Sequence, residues 1–479
     1  MKYLLITLLT LVFFTGCQDK GYGTQDITNV PTISSNAKVS ILSAIPKVGG
    51  NIAQSSFISI EFASYMNITS LNTSNIYMTD ASGTPISLDV YAKENKLYVK
   101  PSTSLSVGQP YTLTLKSSIE DILGNNLDKD YEGTFTCVSN FWQSVDAGDT
   151  HSIAQSIDGD IYVWGSNGNK QIIDINATTL STSIPLGIIG FNGAKSYSAG
   201  YGSSAAVLEN GSLVSVGNNA LVNYNGTDIS QVSLGKGHAT FIKDDGTLWS
   251  WGKNDEGQLG NNNIFPSLIP VAEDTNTSTW KQVSAGNSFT IALKDDGTLW
   301  GWGDNTFGQI GDTTFSQRRK PTQESSNATN WAQVSAGSFH SAMIKTDGTL
   351  WSFGNNDFGQ LGNGANVSSA SAQQEDSNAT TWVQVSAGYN HTCAIKTDGT
   401  LWCWGGNRFG QLGINSILNT NIPTQESTND TSWRSVSVGK EFTLATKTDG
   451  TLWAWGYNAY DQLGLKNNQT DVHLPTEVK

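Results

Sequence analysis

A five-residue motif, Asp-Gly-Thr-Leu-Trp, recurs along the chain and constrains its fold more than any other feature. It is first complete at residues 245–249, and its Trp returns as Trp300, Trp351, Trp402 and Trp453. Ahead of each copy lies Val-Ser-Ala-Gly or a close variant, and the Gly of that segment falls at Gly148, Gly200, Gly235, Gly286, Gly337, Gly388 and Gly439. The last four spacings are 51 residues each. A fixed period of this size indicates repeated copies of one structural unit.

Each repeat predicts a small antiparallel sheet. In the copy that begins at Trp382, residues 383–386 alternate, and residues 392–396 and 400–404 are rich in β-branched and aromatic side chains. Residues 397–399, Thr-Asp-Gly, are typical of a hairpin loop. Such a sheet cannot bury both faces alone, but seven arranged radially can. We therefore predict an all-β fold with a seven-bladed β-propeller over residues 141–479; a linear β-solenoid is the alternative, with rungs usually much shorter than 51 residues.

The two ends of the repeat region suggest how the ring closes. Interior repeats carry a Pro-containing segment before the Trp-led strand, and the first repeat, which starts at Phe141, lacks one. The chain ends with an unmatched segment, residues 474–478. We predict that this segment supplies the missing strand of blade one and so covers an exposed sheet edge.

These motifs resemble the regulator of chromosome condensation repeat family. The resemblance rests on Val-Ser-Ala-Gly, His-Thr, Ala-Ile-Lys, Asp-Gly-Thr-Leu-Trp, Trp-Gly and Gly-Gln-Leu-Gly, and it covers residues 141–479. It implies a seven-bladed propeller, in agreement with the seven copies. It implies little about function, because one fold hosts many functions.

The N-terminus has the pattern of an export signal. A short basic start is followed by the apolar run 4–14 and then by Thr15-Gly16-Cys17. The apolar run is too short to span a bilayer. A small residue before Cys17 resembles the bacterial lipoprotein cleavage box, which implies that residues 1–16 are removed and Cys17 is lipidated. An ordinary cleaved signal is the alternative. Residues 17–37 are polar and predict a flexible tether.

Residues 38–138 predict a separate β-sandwich. All 15 Trp residues lie from Trp142 onward, and short alternating strands such as 58–62 and 111–115 are separated by turn signals. The stretches 111–115, 121–125 and 133–136 resemble the bacterial Ig-like domain of S-layer-type proteins. That resemblance implies a spacer or adhesion module.

Charge argues against a nucleic-acid partner. The net charge is −14, and removal of Lys2 with the signal makes it about −15. We therefore expect no nucleic-acid binding. The compact basic cluster Arg318-Arg319-Lys320 is expected in a solvated loop between strands.

Two of the four Cys residues predict a disulfide bond. If residues 397–399 form a three-residue loop, Cys393 faces Cys403 at a non-hydrogen-bonded position, about 4.5 Å apart at Cα, and this distance suits a disulfide. No other repeat has Cys at either place. The bond would fit an oxidising compartment, and two free buried thiols are the alternative. Cys137 is left over as a buried thiol.

Four of the five His residues occupy one repeat position, three residues after the repeat Gly: His151, His238, His340 and His391. A ring of imidazoles could bind a metal. We favour a structural role, because Phe289 and Phe442 fill the same position in other blades. The recurring Asp of Asp-Gly and the recurring Gln of Gly-Gln-Leu-Gly are likewise assigned to the fold. We predict no metal, no cofactor and no catalytic residues.

A specific site should break the repeat. This rule directs attention to blades one and two, whose motifs are incomplete, and more weakly to Phe265, Phe315 and Ile417 in long loops. No nucleophile elbow or phosphate-binding loop is present in the sequence. Guanine-nucleotide exchange, known for some family members, is not expected in a chain that is exported.

Two functional classes remain. The first is a binding scaffold whose propeller face recognises a protein or glycan partner, of which an inhibitor of β-lactamases, as in some family members, is one version. The second is an envelope enzyme that acts on polysaccharide from the channel. We expect a monomer in the bacterial cell envelope, periplasmic or surface-exposed, that is held to the membrane by its lipid alone.

Overall fold

The computed structural model describes most of the chain from residue 38 onward. The described residues are 38–45, 48–49, 51–53, 58–93, 95–102, 105–138, 142–157, 159–172, 180–187, 191, 193–218, 226–466 and 469–478. The predicted signal (1–16), the lipidation site Cys17 and the tether (17–37) lie outside them. All regular structure in the described residues is β-strand, and no helix there is long and apolar enough to cross a membrane.

The first nine strands form two sheets with a shared core. They are β1 (Ile41–Ile45), β2 (Asn51–Ala53), β3 (Ile58–Phe62), β4 (Ile76–Asp80), β5 (Pro85–Ile86), β6 (Leu88–Lys93), β7 (Lys96–Pro101), β8 (Pro110–Leu115) and β9 (Tyr131–Val138). One sheet has the order β1-β3-β7-β6 and the other β2-β9-β8-β4-β5. Alternate residues of both sheets, such as Ile60, Val99 and Leu113, enter one buried cluster. The sandwich is therefore the product of the period-two pattern.

The remaining strands form seven sheets, one after another along the chain. Blade one has β10 (Trp142–Ala147), β11 (His151–Ser156), β12 (Ile161–Ser166) and β13 (Ser181–Gly187). Blade two has β14 (Ala194–Ala199), β15 (Ser203–Leu208) and β16 (Leu213–Gly217), and blade three has β17 (Ile229–Leu234), β18 (His238–Lys243), β19 (Leu248–Gly252) and β20 (Ser267–Ala272).

Blade four has β21 (Trp280–Ala285), β22 (Phe289–Lys294), β23 (Leu299–Gly303) and β24 (Arg318–Gln323), and blade five has β25 (Trp331–Ala336), β26 (His340–Lys345), β27 (Leu350–Gly354) and β28 (Ser369–Gln374). Blade six has β29 (Trp382–Ala387), β30 (His391–Lys396), β31 (Leu401–Gly405) and β32 (Thr420–Gln425), and blade seven has β33 (Trp433–Val438), β34 (Phe442–Lys447), β35 (Leu452–Gly456) and β36 (Val472–Glu477).

Each blade is an antiparallel sheet whose first strand lies nearest the axis. The hairpin between the second and third strands turns on the predicted Asp-Gly. In blade six, Gly399 has φ +77°, and a Cβ there would lie 2.1 Å from the carbonyl oxygen of Thr431. Asp398 accepts hydrogen bonds from the backbone N–H and hydroxyl of Thr400. The repeated Asp and Gly therefore serve the turn, as expected.

The prediction that the C-terminal segment completes blade one is wrong. Strand β36 pairs with β35, in the last blade. The Pro-containing segment is thus the outermost strand of its own blade, where the missing N–H of a Pro is tolerated. The ring still closes, because blade one packs on blade seven. The Trp142 N–H donates to the Gly450 carbonyl at 2.9 Å, as the Trp331 N–H does to Gly297 at 3.1 Å between interior blades.

A buried Glu at the end of most outer strands organises the connection to the next blade. In blade five, Glu375 is buried and accepts hydrogen bonds from Trp382 Nε1 at 3.2 Å and from the backbone N–H groups of Ser377 and Ala379. The equivalent residue of blade seven is Val478, which packs in a cluster with Trp142. An apolar side chain therefore takes the place of the buried carboxylate in this blade.

The two central Cys residues are joined across blade six. Cys393 pairs with Cys403 in register, and the equivalent pairs in blades five and four are Ala342 with Ser352 and Ile291 with Gly301. The two Cα atoms lie 4.1 Å apart and the sulfurs are bonded at 2.07 Å. Cys137 is a buried thiol in β9, and burial raises its pKa to about 11.

Candidate functional site

A ring of seven hydrogen bonds joins the innermost strands around the axis. In interior blades, the Ser of Val-Ser-Ala-Gly accepts a hydrogen bond from a backbone N–H of the next blade. The donors and acceptors are Leu234 to Ser198, Ala285 to Ser233, Ala336 to Ser284, Ala387 to Ser335, Val438 to Ser386 and Ala147 to Ser437, at 2.9–3.1 Å. The seventh acceptor is Asp146, which accepts from the Ala199 N–H at 2.7 Å. The Ser of the motif, or Asp146 in its place, therefore links each blade to the next by a hydrogen bond.

Asp146 replaces Ser where the first and last blades meet. Its second oxygen accepts a hydrogen bond from the Ser437 hydroxyl at 3.0 Å, so this one side chain joins blades seven, one and two. Burial raises the pKa of Asp146 to about 6, against the lowering effect of these hydrogen bonds. The carboxyl group is committed to ring closure and is not free to act on a substrate.

The repeat Gly residues narrow the axis to a small well. A Cβ on Gly337 would lie 2.4 Å from the carbonyl oxygen of Gly388, and a Cβ on Gly439 would lie 2.4 Å from that of Gly148. Only Gly permits this approach of neighbouring backbones. The result is a cavity of about 170 Å³ lined by the Ala-Gly segments of the blades.

The residue after each repeat Gly stands at the mouth of this well. These seven residues, which we call the mouth ring, are Asp149, Tyr201, Lys236, Asn287, Ser338, Tyr389 and Lys440. The mouth ring thus varies strongly between blades, although the Gly before it does not. It is the place where the innermost strands break the repeat.

The side chains of the mouth ring are not used by the fold. Among the described residues, none of the seven makes a side-chain hydrogen bond or an ion pair with another part of the protein. The Asn287 Oδ1 atom is buried without a partner. Lys236 lies over the Tyr201 ring at 5.1 Å, and Lys440 lies over the Tyr389 ring at 5.5 Å. Both ammonium groups are therefore positioned by aromatic rings.

Asp149 lies in the field of both lysines. Burial raises the pKa of its carboxyl group to about 6, while Lys440 and Lys236 act to lower it. Glu441 adds a smaller raising effect. Unlike Asp146, this carboxyl group has no hydrogen bond from the described chain, and it is available to a ligand.

Aromatic rings extend outward from the mouth ring on blades four to seven. Phe307 contacts Phe339 with a centroid distance of 5.5 Å, and Phe339 contacts Tyr389 at 5.9 Å. A second run joins Phe409 to Tyr457 at 4.7 Å and Tyr457 to Tyr460 at 6.2 Å. These residues lie in loops at the same end of the blades as the mouth ring. We call them the aromatic arcs.

The repeated His residues have a structural role, as expected. Thr290 donates its hydroxyl proton to the Gln258 carbonyl, so its oxygen accepts from His238 Nε2 at 2.9 Å. His151, His340 and His391 make the same contact with Ser204, Thr392 and Thr443 of the next blade. Burial lowers the pKa of His391 to about 3, so the ring is neutral. Within the described residues, no group of three or more potential ligands could hold a metal ion.

Other residues that the sequence singled out lie elsewhere. Phe265, Phe315 and Ile417 are exposed in the loops before the outer strands and do not line the well. The basic cluster lies in strand β24 rather than in a loop, and Arg318 pairs with the buried Asp312. Blade two has three strands among its described residues.

The mouth ring escaped our sequence reasoning because we looked for incomplete blades. Its signal was present in the repeats themselves: the position after the invariant Gly changes from blade to blade, although that Gly does not. The irregular blades still contribute, through Asp149 of blade one and Tyr201 of blade two.

Comparisons with known proteins agree with this architecture. The model of the RCC1-like domain matches residues 220–479, the model of the regulator of chromosome condensation (RCC1) repeat matches residues 142–171, and that of the bacterial Ig-like domain matches residues 35–137. The ultraviolet-B receptor UVR8 of Arabidopsis thaliana is 28% identical over 341 residues, which are 70% of this chain and 69% of the receptor. The human E3 ubiquitin-protein ligase HERC2 is 30% identical over 258 residues, which are 52% of this chain and 5% of the ligase.

Solved structures add evidence on the fold. Yeast RCC1 (Prp20), in its complex with Kap60, is 17% identical with a TM-score of 0.51, and the match covers 70% of this chain and 74% of that one. At this identity the likeness shows the propeller and nothing about partners. Since the RCC1-like domain model covers more than half of the sequence, this chain belongs to the RCC1-like domain family, with a bacterial Ig-like domain ahead of its propeller.

Proposed function

We propose that this chain is an exported, lipid-anchored binding scaffold whose mouth ring and aromatic arcs together recognise a protein or glycan partner. One observation carries the proposal: seven side chains at one register position vary from blade to blade and are left unused by the fold. Residues that serve only the propeller, such as Ser284 or His238, have their partners inside it.

The composition of this surface supports recognition. Tyr, Ser, Gly and Asn are the residues that antibody loops use for adaptable contacts, and aromatic residues and Arg dominate the centres of protein interfaces. The surface offers Tyr201, Tyr460 and Phe358, each at least 40% exposed. Arg408 lies over Phe409 at 5.3 Å. Such groups give large contact area at low cost in conformational entropy.

Export and lipid attachment rest on the N-terminal sequence. The apolar run 4–14 and the Gly16-Cys17 pair support removal of residues 1–16 and lipidation of Cys17. The bond between Cys393 and Cys403 is consistent with an oxidising compartment. Radiolabelled palmitate incorporated into the wild type and not into Cys17→Ser is the expected result, and equal labelling of both would exclude lipidation at this residue.

The envelope enzyme has one observation in its favour. Blade one places two carboxyl groups of raised pKa, Asp146 and Asp149, close together in sequence at the axis. Glycoside hydrolysis ordinarily uses two free carboxyl groups, and Asp146 is occupied by three donors. We therefore favour binding. Release of reducing ends from envelope polysaccharide that Asp149→Asn abolishes would reverse this preference.

Capture of a partner from envelope extract tests the scaffold. The full chain, purified in detergent, is immobilised beside a variant in which Tyr201, Tyr389 and Tyr460 are changed to Ala. A matched control changes the exposed residues Leu268, Ile269 and Ile422 on outer strands to Ala. We expect the wild type and the control to retain one specific partner and the mouth variant to lose it. Equal capture by all three would show that the mouth is not the recognition surface.

A further inference from the structure

We propose that the axial well, with Lys236 and Lys440 at its rim, binds the carboxylate of an acidic sugar residue, of uronic-acid type, in a glycan. This inference rests on the proposed function and deepens it by naming the class of ligand. It is carried by the unused polar groups of the mouth ring, their charges and the size of the well.

The charges of the mouth ring favour an anion. Lys236 and Lys440 carry two positive charges and Asp149 one negative charge, so the ring is positive in a chain whose net charge is −14. Neither lysine has an ion-pair partner in the described chain. Glu441, beside Lys440, lies in the field of Arg408, which offsets it.

The other members of the mouth ring fit hydroxyl groups. Asp149 offers an acceptor, the Ser338 hydroxyl can donate or accept, and the Asn287 side-chain amide can donate. A sugar acid presents one carboxylate among several hydroxyls, each both donor and acceptor. A ligand of this kind satisfies the lysines and the neutral groups together, whereas an isolated inorganic anion would leave the neutral groups unpaired.

The dimensions limit what can enter. A cavity of about 170 Å³ has room for one sugar ring and not for a helix or a strand. The next residues of a glycan would then leave the well across the aromatic arcs, where rings such as Phe339 and Tyr389 present apolar surface beside polar groups. An acidic side chain of a protein could supply the same carboxylate, but it would not use the hydroxyl-binding groups.

Calorimetric titration of the full chain in detergent tests the inference. The probes are trigalacturonate, its methyl-esterified form and hexaglutamate. We expect trigalacturonate to bind, the ester to bind at least tenfold more weakly, and hexaglutamate to bind no better than the ester. Lys236→Gln and Lys440→Gln should each weaken trigalacturonate binding at least tenfold. Lys281→Gln, which removes an exposed charge at the opposite end of a blade, should leave it unchanged.

Each other outcome overturns the inference in an identifiable way. Equal binding of trigalacturonate and its ester would exclude a carboxylate subsite. Tight binding of hexaglutamate alone would identify acidic peptides, and not sugar acids, as the ligand class. An equal loss in Lys281→Gln would mean general attraction rather than a site. If no probe binds while Lys236→Gln still abolishes partner capture from envelope extract, the sugar-acid site is refuted and the scaffold stands. Tryptophan fluorescence of every variant checks that the propeller is folded.

Discussion

Replacing His391 with Phe should make the stability of the propeller less sensitive to acid. His391 is fully buried, donates to the Thr443 hydroxyl at 3.1 Å, and has its pKa lowered to about 3 by burial. In the unfolded chain its pKa returns to the ordinary value of 6.5. Phe is a suitable replacement because Phe289 and Phe442 occupy the same position in blades four and seven.

The size of the effect follows from linkage between protonation and folding. Below pH 6.5 the unfolded state binds a proton that the folded state refuses, so stability is lost as the pH falls from 6.5 towards 3. Each pH unit costs about 1.4 kcal/mol per histidine once the unfolded imidazole is charged. Between pH 7.5 and pH 5 the wild type should therefore lose about 2 kcal/mol that His391→Phe does not lose. The lost hydrogen bond to Thr443 adds an offset that is the same at both pH values.

Urea unfolding followed by tryptophan fluorescence measures this difference. All 15 Trp residues lie from Trp142 onward, so the signal reports the propeller and not the Ig-like domain. Thr443→Ser is the matched control, because Ser204 accepts the equivalent hydrogen bond from His151. It should keep the pH dependence of the wild type. Parallel curves for the wild type and His391→Phe between pH 7.5 and pH 5 would refute the reasoning.

Three further perturbations follow from the blade contacts. Changing Cys393 to Ala and Cys403 to Ser, the pair found in blade five, should lower stability by about 3 kcal/mol or less, and denaturing alkylation should add two labels to the wild type only with reductant. Lys396→Met should lower the free energy of unfolding by about 1–2 kcal/mol, since the ammonium lies 4.6 Å from the Trp382 ring and 4.1 Å from the Trp402 ring. A decrease of less than about 0.5 kcal/mol in urea unfolding, the lower end of the cation–π range, would contradict this. Val478→Glu should cost about 3 kcal/mol or more, because it places a carboxylate in the apolar cluster that Val478 shares with Trp142 and Leu463; an unchanged unfolding midpoint would contradict this.

Most of the fold could be predicted from the sequence because each repeat states the same local pattern. The hairpin at Gly399, the pairing of Cys393 with Cys403 and the number of blades all follow from alternation, turn residues and a constant period. The point in the repeat at which each blade begins could not be predicted in this way. A repeating sequence fixes the order of the strands but not where one sheet ends and the next begins. The Pro-containing strand marks that boundary, because Pro lacks an N–H and is tolerated at the edge of a sheet.

The candidate site was less accessible to sequence reasoning for a different reason. A conspicuous residue, such as His340 or Asp398, recurs because the propeller uses it. The residues that are free for a ligand, such as Lys236 and Asn287, have no motif. They become visible only when the structure shows that they converge on one well and that their hydrogen-bonding groups have no partner in the described chain.

The self-contained last blade has a consequence for how the ring can be built. Trp142 and Val478 pack in one cluster, and none of the described strands is exchanged between the ends of the propeller. A short linker from 478 to 142 should therefore allow new termini to be opened in any connection between blades. By the same geometry, duplication or deletion of one 51-residue repeat would add or remove one complete blade. The remaining interfaces between blades would be of the same kind.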